Sequence, residues 1–271
     1  MNIGVFDSGL GGLSILRHLT KKCLKYNFIY LGDNAHVPYG GRSSEIIYQF
    51  TKKSVDYLFR QNCKLIIIAC NTVTAVALRK IQDNYLKRKY PDRKVLGVIL
   101  PAAEIISEKG YKKIGVIGTK ATINSKEFAI KIKELSKKTE VIEKACPLLV
   151  SAIEEGTNGN KVVELLLKKY LMEFKEKKVE ALILGCTHYG LIKNKIKKVL
   201  GKNVDIIDEG EICADKLIDY LKRHPEIDKC LGREGVRRYC VTDKPKRYRK
   251  FFEIFLGNKF KKEDELELVR L

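Results

Sequence analysis

IIIACNT, residues 66–72, runs an apolar series straight into a cysteine, an asparagine and a threonine, and LILGCTH, residues 182–188, repeats the plan with a cysteine, a threonine and a histidine. A second pair of stretches is alike in the same way: IGVFDSG at 3–9 and IGVIGTK at 114–120. Cys70 follows Gly4 by 66 residues, and Cys186 follows Gly115 by 71. The same order at nearly the same spacing predicts two similarly built halves, each ending a buried strand in a cysteine. Such halves would face one another across a cleft with a thiol on either wall.

The rest of the chain supports that plan. Strand-like runs are NIGVF (2–6), NFIYL (27–31), KLIIIA (64–69), VLGVI (95–99), KIGVI (113–117), TEVIE (139–143), EALIL (180–184) and VDIID (204–208). Between most of them lie segments with apolar residues three and four apart, such as 43–60, 124–138 and 161–177, which read as helices. Strand and helix in alternation predict an α/β fold with mostly parallel sheets, here two similar, pseudo-symmetric lobes. The expected division is 1–97 plus 209–271 for the lobe of Cys70 and 98–208 for the lobe of Cys186. Ligands bind beyond the carboxyl ends of parallel strands, so the residues just after each strand are the ones to inspect.

Composition narrows the function classes. A chain of 271 residues, 45% apolar and 32% charged, can bury a substantial core. The start MNIGVFDSG lacks the pattern of a signal peptide, and no stretch reaches the roughly 18 consecutive apolar residues of a membrane span. A soluble cytoplasmic protein is expected. The eight cysteines, at 23, 63, 70, 146, 186, 213, 230 and 240, contain no C-x-x-C pair, which argues against a disulfide scaffold or a zinc ribbon. His18, His36, His188 and His224 share no ligand spacing, so no metal is expected. The 53 Lys and Arg against 33 Asp and Glu give a formal charge of +20. They are spread along nearly every helical segment, as on a solvated surface, apart from the basic-aromatic run KPKRYRKFF at 244–252. The positive field favours an acidic small substrate over nucleic acid.

A lone cysteine at a strand end is often only a small buried hydrophobe, and Cys23, Cys63, Cys146, Cys213, Cys230 and Cys240 are read that way. Cys70 and Cys186 differ because each is followed by polar groups: Asn71 and Thr72, Thr187 and His188. Taking a proton from carbon and returning one to the opposite face needs two acid/base groups on opposite sides, one ionised and one protonated. Thiols, titrating near about 8.5 and easily shifted by nearby charge, can divide those roles. Racemisation of an amino acid is the reaction such a pair fits.

FDSGLGGLSI (6–15), YLGDNAHVPYGGRS (30–43), ACNTVTA (69–75), CPLLVSAIEEG (146–156), LGCTHYGL (184–191), IIDEG (206–210) and VTDKPKRYRKFFEIFLG (241–257) together resemble the glutamate racemases of the aspartate/glutamate racemase family. The resemblance spans essentially the whole chain. It implies a cofactor-independent cytosolic enzyme that supplies D-glutamate for peptidoglycan, commonly a homodimer. It further implies Cys70 and Cys186 as the two bases, with Asp7 and His188 assisting them and Glu154 as a remaining acidic assistant, the choice between Glu154 and the adjacent Glu155 staying open. Ser8, Tyr39, Gly40, Asn71, Thr72 and Thr187 match substrate-contact positions, joined by Asp7 and His188, with Thr119 and Thr122 as weaker matches. Ser151 stands where the family commonly has proline.

Bland and rival readings remain beside this one. Asp7 could order a turn and His188 could be a packed loop histidine. GLGGLS after a strand, with Asp33 about 20 residues on, suggests a dinucleotide site, but the last glycine of G-x-G-x-x-G is missing and Ser14 takes its place. A tight turn that exposes Asp7 and Ser8 explains the glycines more simply. Aspartate racemase shares the two-thiol logic, and a regulatory or nucleic-acid-binding protein on a decayed racemase scaffold would have lost a thiol; both are present.

Overall fold

A computed structural model of the chain describes residues 1–155, 161–243, 248–257 and 266–271. Among the described residues, ten strands form two sheets: β1 (Asn2–Asp7), β2 (Phe28–Gly32), β3 (Cys63–Ile68), β4 (Lys94–Gly97), β5 (Lys113–Gly118), β6 (Glu140–Ala145), β7 (Ala181–Gly185), β8 (Asp205–Ile207), β9 (Arg237–Val241) and β10 (Leu266–Leu268). The larger sheet is ordered β10-β9-β2-β1-β3-β4 and the smaller β6-β5-β7-β8. Every pairing among the described residues is parallel. The order β2-β1-β3-β4 in one sheet is repeated as β6-β5-β7-β8 in the other, so each sheet reverses its winding at the same place, beside β1 or β5. That reversal opens a crevice at the carboxyl ends.

Alternation along the strands explains how each sheet is covered on both faces. In β3 and the residue after it, Leu65, Ile67 and Ala69 join a core under the helices Leu13–Lys22, Glu209–Arg223 and Tyr248–Leu256. Ile66, Ile68 and Cys70 join the opposite core, under Ser44–Arg60 and Asn71–Val76. In β7, Leu182 and Leu184 face the helix Lys161–Glu176, and Ala181 and Ile183 face Ile99–Lys109 and Glu127–Leu135. Strands buried on both faces read as continuous apolar runs, which is why these strands were legible in the sequence. Each large aliphatic side chain so buried contributes roughly 1.5–3 kcal/mol of transfer free energy.

Two strands were not foreseen. β9 opens with Arg237 and Arg238, and β10 is three residues long. Their polar residues satisfy one another: Arg238 donates to the Glu267 carboxylate through Nε and Nη2, at 2.8 and 2.6 Å. A short, charged strand is a usual protection for a sheet edge, and it hides the hydrophobic pattern. Residues 71–89, helical throughout apart from Ala77, include a π-helical turn at Ile81–Leu86. Of the basic-aromatic stretch at 244–252, residues 244–247 lie outside the described residues; Tyr248–Leu256 is a helix. No described helix is long and apolar enough to cross a membrane.

Candidate active site

Strand register brings the candidate residues together. Phe6 pairs with Ile68, so Ser8 and Cys70 leave the larger sheet side by side, just past Asp7 at the end of β1. Gly118 pairs with Gly185, so Thr119 and Cys186 leave the smaller sheet in the same way. The two strand ends border one cleft of about 340 Å³, whose walls include Ser8, Tyr39, Gly40, Cys70, Asn71, Thr72, Thr119, Glu154, Cys186, Thr187 and His188. A larger cavity of about 410 Å³ lies elsewhere, among Arg79, Glu104, Lys131 and Lys216. Neither Cys70 nor Cys186 reaches it, so volume alone does not mark the chemistry.

On the first wall, Cys70 caps the helix Asn71–Val76, and the Ser8 hydroxyl lies 3.2 Å from its sulfur. A helix N-terminus ordinarily favours a thiolate. Here burial outweighs it, followed by the charge of Asp7, and the Cys70 thiol is pushed up to about 12. Asp7 is buried, and its Oδ2 accepts the Gly9 N–H at 2.9 Å. Burial raises its carboxyl above the usual range, with His188 pulling the other way.

The second wall is built around the imidazole of His188. His188 Nδ1 lies 3.9 Å from the Cys186 sulfur, and its Nε2 lies 2.8 Å from Glu154 Oε1. Burial works to lower its pKa, but the Cys186 sulfur and the Glu154 carboxylate outweigh burial and carry it up to about 10. The Phe255 ring, from the helix Tyr248–Leu256, meets the imidazole edge to face at 5.5 Å between centroids. Of the two adjacent acids, it is Glu154 that meets His188.

The glycines answer a question of space rather than of dihedral angle. None of Gly9, Gly11 or Gly12 has a positive φ. A Cβ on Gly11 would lie 2.2 Å from Thr187 Oγ1 and 2.6 Å from His188 Nδ1, so glycine is what lets this loop press against the other wall. Gly40 makes the same kind of approach to Thr119, 2.6 Å from a built Cβ. Asp33, the acid of the dinucleotide reading, is fully buried and satisfied internally, bonded to the Tyr39 hydroxyl, to His36 Nδ1 at 2.8 Å and to the Thr242 hydroxyl at 2.8 Å. It holds the loop that carries Tyr39 and Gly40.

Thr72, Thr119 and Thr122 form a hydroxyl triangle with edges of 2.9, 3.2 and 2.9 Å that links the two strand-end regions. Thr72 and Thr119 line the cleft, whereas Thr122 is fully buried behind them. Among the described residues no group of three or more His, Cys, Asp or Glu is arranged to hold a metal.

The model of the Asp/Glu/Hydantoin racemase family matches residues 3–217. The chain belongs to this family. A curated relative within it, the glutamate racemase of Chlorobaculum parvum, is 35% identical over 98% of this chain and 95% of its own. Among solved structures, the glutamate racemase of Francisella tularensis subsp. tularensis in complex with D-glutamate is 37% identical, with a TM-score of 0.87 over 99% of this chain and 97% of that one. Isoform RacE1 from Bacillus anthracis is 32% identical, with a TM-score of 0.89 over 100% and 97%.

Three residues of this family member escaped the sequence reading. Glu209 was visible within IIDEG, but its bond to the Asn71 side chain, 2.7 Å long, joins residues 138 apart. Phe255 gave no signal beyond a helical apolar pattern. Cys146, read as a buried hydrophobe, also lines the cleft, and burial pushes its thiol up to about 12.

Proposed function

We propose that this chain interconverts L- and D-glutamate without a cofactor, using Cys70 and Cys186 as acid/base groups on facing walls of the cleft. The observation that carries the reading is the placement of two thiols at equivalent strand ends, beyond β3 and β7, on one cleft. Relatives and solved structures of glutamate racemases covering nearly the whole chain support glutamate as the substrate.

In one direction a Cys186 thiolate, with the His188 imidazolium as counter-charge, takes the α-proton of L-glutamate. The Cys70 thiol gives its proton to the other face, and the product is D-glutamate. The reverse reaction exchanges the two roles. Asp7 serves the first wall, and His188 with Glu154 the second, as nearby stations for the transferred proton. Ser8, Tyr39, Gly40, Asn71, Thr72, Thr119 and Thr187 offer hydroxyl, amide and backbone N–H groups that suit two carboxylates and one ammonium. Fully buried Thr122 acts through Thr72 and Thr119.

The lobes divide as 1–97 plus 209–271 and 98–208, consistent with β9, β10 and the helix Glu209–Arg223 packing on the larger sheet. The enzyme works in the cytoplasm as a homodimer and supplies D-glutamate for peptidoglycan. Circular dichroism of purified protein with L-glutamate and no added cofactor tests the reading. Optical activity should decay to zero. A flat trace with glutamate beside a decaying one with aspartate would move the substrate to aspartate, and flat traces with both would remove the racemase reading.

A further inference from the structure

Glu209 begins the helix Glu209–Arg223, is 3% exposed, and its Oε2 accepts the Asn71 Nδ2–H at 2.7 Å. Asn71 is 2% exposed and immediately follows Cys70. One oxygen of each side chain remains: Glu209 Oε1 and Asn71 Oδ1 are both buried with no hydrogen-bond partner among the described residues. If Glu209 is ionised, both orphans are acceptors and neither can satisfy the other. A single proton on the carboxyl changes this, because the O–H then donates to the Asn71 carbonyl while the Asn71 amide donates back.

We propose that Glu209 is a neutral positioning residue whose carboxylic acid closes a two-point pair with the Asn71 amide, fixing the orientation of Asn71 beside Cys70 and tying that wall to the helix Glu209–Arg223. The role deepens, and rests on, the reading of Asn71 as a substrate contact in a glutamate racemase. Burial independently raises the Glu209 carboxyl well above the ordinary range, against the opposing effect of the Asn71 bond and with a further upward push from Asp208. No sequence pattern announces the pair, since its partners lie on β3's exit and β8's exit, in different parts of the chain.

Glutamine at position 209 offers one donor and one acceptor in nearly the shape of the protonated acid. Glu209→Gln should therefore keep kcat and KM for both glutamate enantiomers within about twofold of wild type, whereas Glu209→Ala should raise KM about tenfold in both directions and change kcat far less. A KM in Glu209→Ala equal to wild type, or a Glu209→Gln enzyme as impaired as Glu209→Ala, overturns the proposal. Glu209→Met, closer in volume, is read in the same way if the alanine variant does not fold. Infrared spectra at neutral pH provide an arm that does not depend on turnover. The wild-type spectrum minus that of Glu209→Gln should show a protonated-carboxyl band. Its absence overturns the pairing. Wild-type protein that leaves glutamate unchanged yet shows the band would sink the racemase reading and leave the acid–amide pair standing.

Discussion

Cys70 leaves β3 beside Ser8 and a buried Asp7, whereas Cys186 leaves β7 beside an imidazole that Glu154 holds from its other nitrogen. The strand plan is the same and the surroundings of the two thiols differ. On the first wall burial holds the thiol up to about 12 and raises the acid next to it. On the second, the sulfur and the carboxylate hold His188 at about 10. Two thiols in matching surroundings would favour the same protonation state, and a reaction that needs one acid and one base would wait for a rare arrangement. In the proposed reaction, unequal walls let the two thiols differ in protonation, with the roles exchanged when the direction reverses.

Inequality of the walls cannot bias the reaction as a whole. The enantiomers of glutamate have equal free energy in water, so kcat/KM in the two directions must remain equal in any variant. The walls can be separated only through kcat and KM individually, or through chemistry that uses one of them.

The largest expected effect comes from removing a sulfur: Cys70→Ala and Cys186→Ala should each lower racemisation by about 1,000-fold or more while the protein stays folded, measured by dichroism of glutamate and by thermal melting. Asp7→Asn and His188→Asn should each cost about 100-fold, and a loss at only one of them would show that one wall works unassisted. His188 also carries a stability signature. Its folded pKa lies above the ordinary 6.5, so its contribution is complete below about pH 6.5 and is lost as pH rises through about 10. The melting-point deficit of His188→Asn should therefore shrink across that range.

Glu154→Gln should cost about tenfold and, by removing one of the two groups that raise His188, move the alkaline fall in rate to lower pH. An unchanged pH profile would detach Glu154 from the second wall. The smallest effect belongs to Phe255→Leu, which keeps the apolar cover but loses an aromatic contact worth about 1 kcal/mol, for a change in kcat of only a few-fold.

What the sequence revealed follows the physics of each feature. The central strands were legible because burial on both faces leaves unbroken apolar runs, as in residues 66–69 and 181–184. β9 and β10 were hidden because Arg237, Arg238 and Glu267 interrupt short apolar patterns. The thiols stood out because their context recurs. Glu209, Phe255 and the clearance at Gly11 depend on contacts between distant segments, which a one-dimensional pattern does not record.

The most direct test of the two-walled mechanism uses a substrate that needs only one base. A β-chloroglutamate loses its α-proton to a thiolate and then chloride from the neighbouring carbon, so no proton has to be returned to the α-carbon by the second wall. With Cys70→Ser, chloride should be released from the analogue of L configuration at the α-carbon and not from its D counterpart. With Cys186→Ser the preference should reverse, and neither variant should racemise glutamate appreciably. If both variants eliminate from the same enantiomer, or either keeps wild-type racemisation, the two thiols do not serve opposite faces.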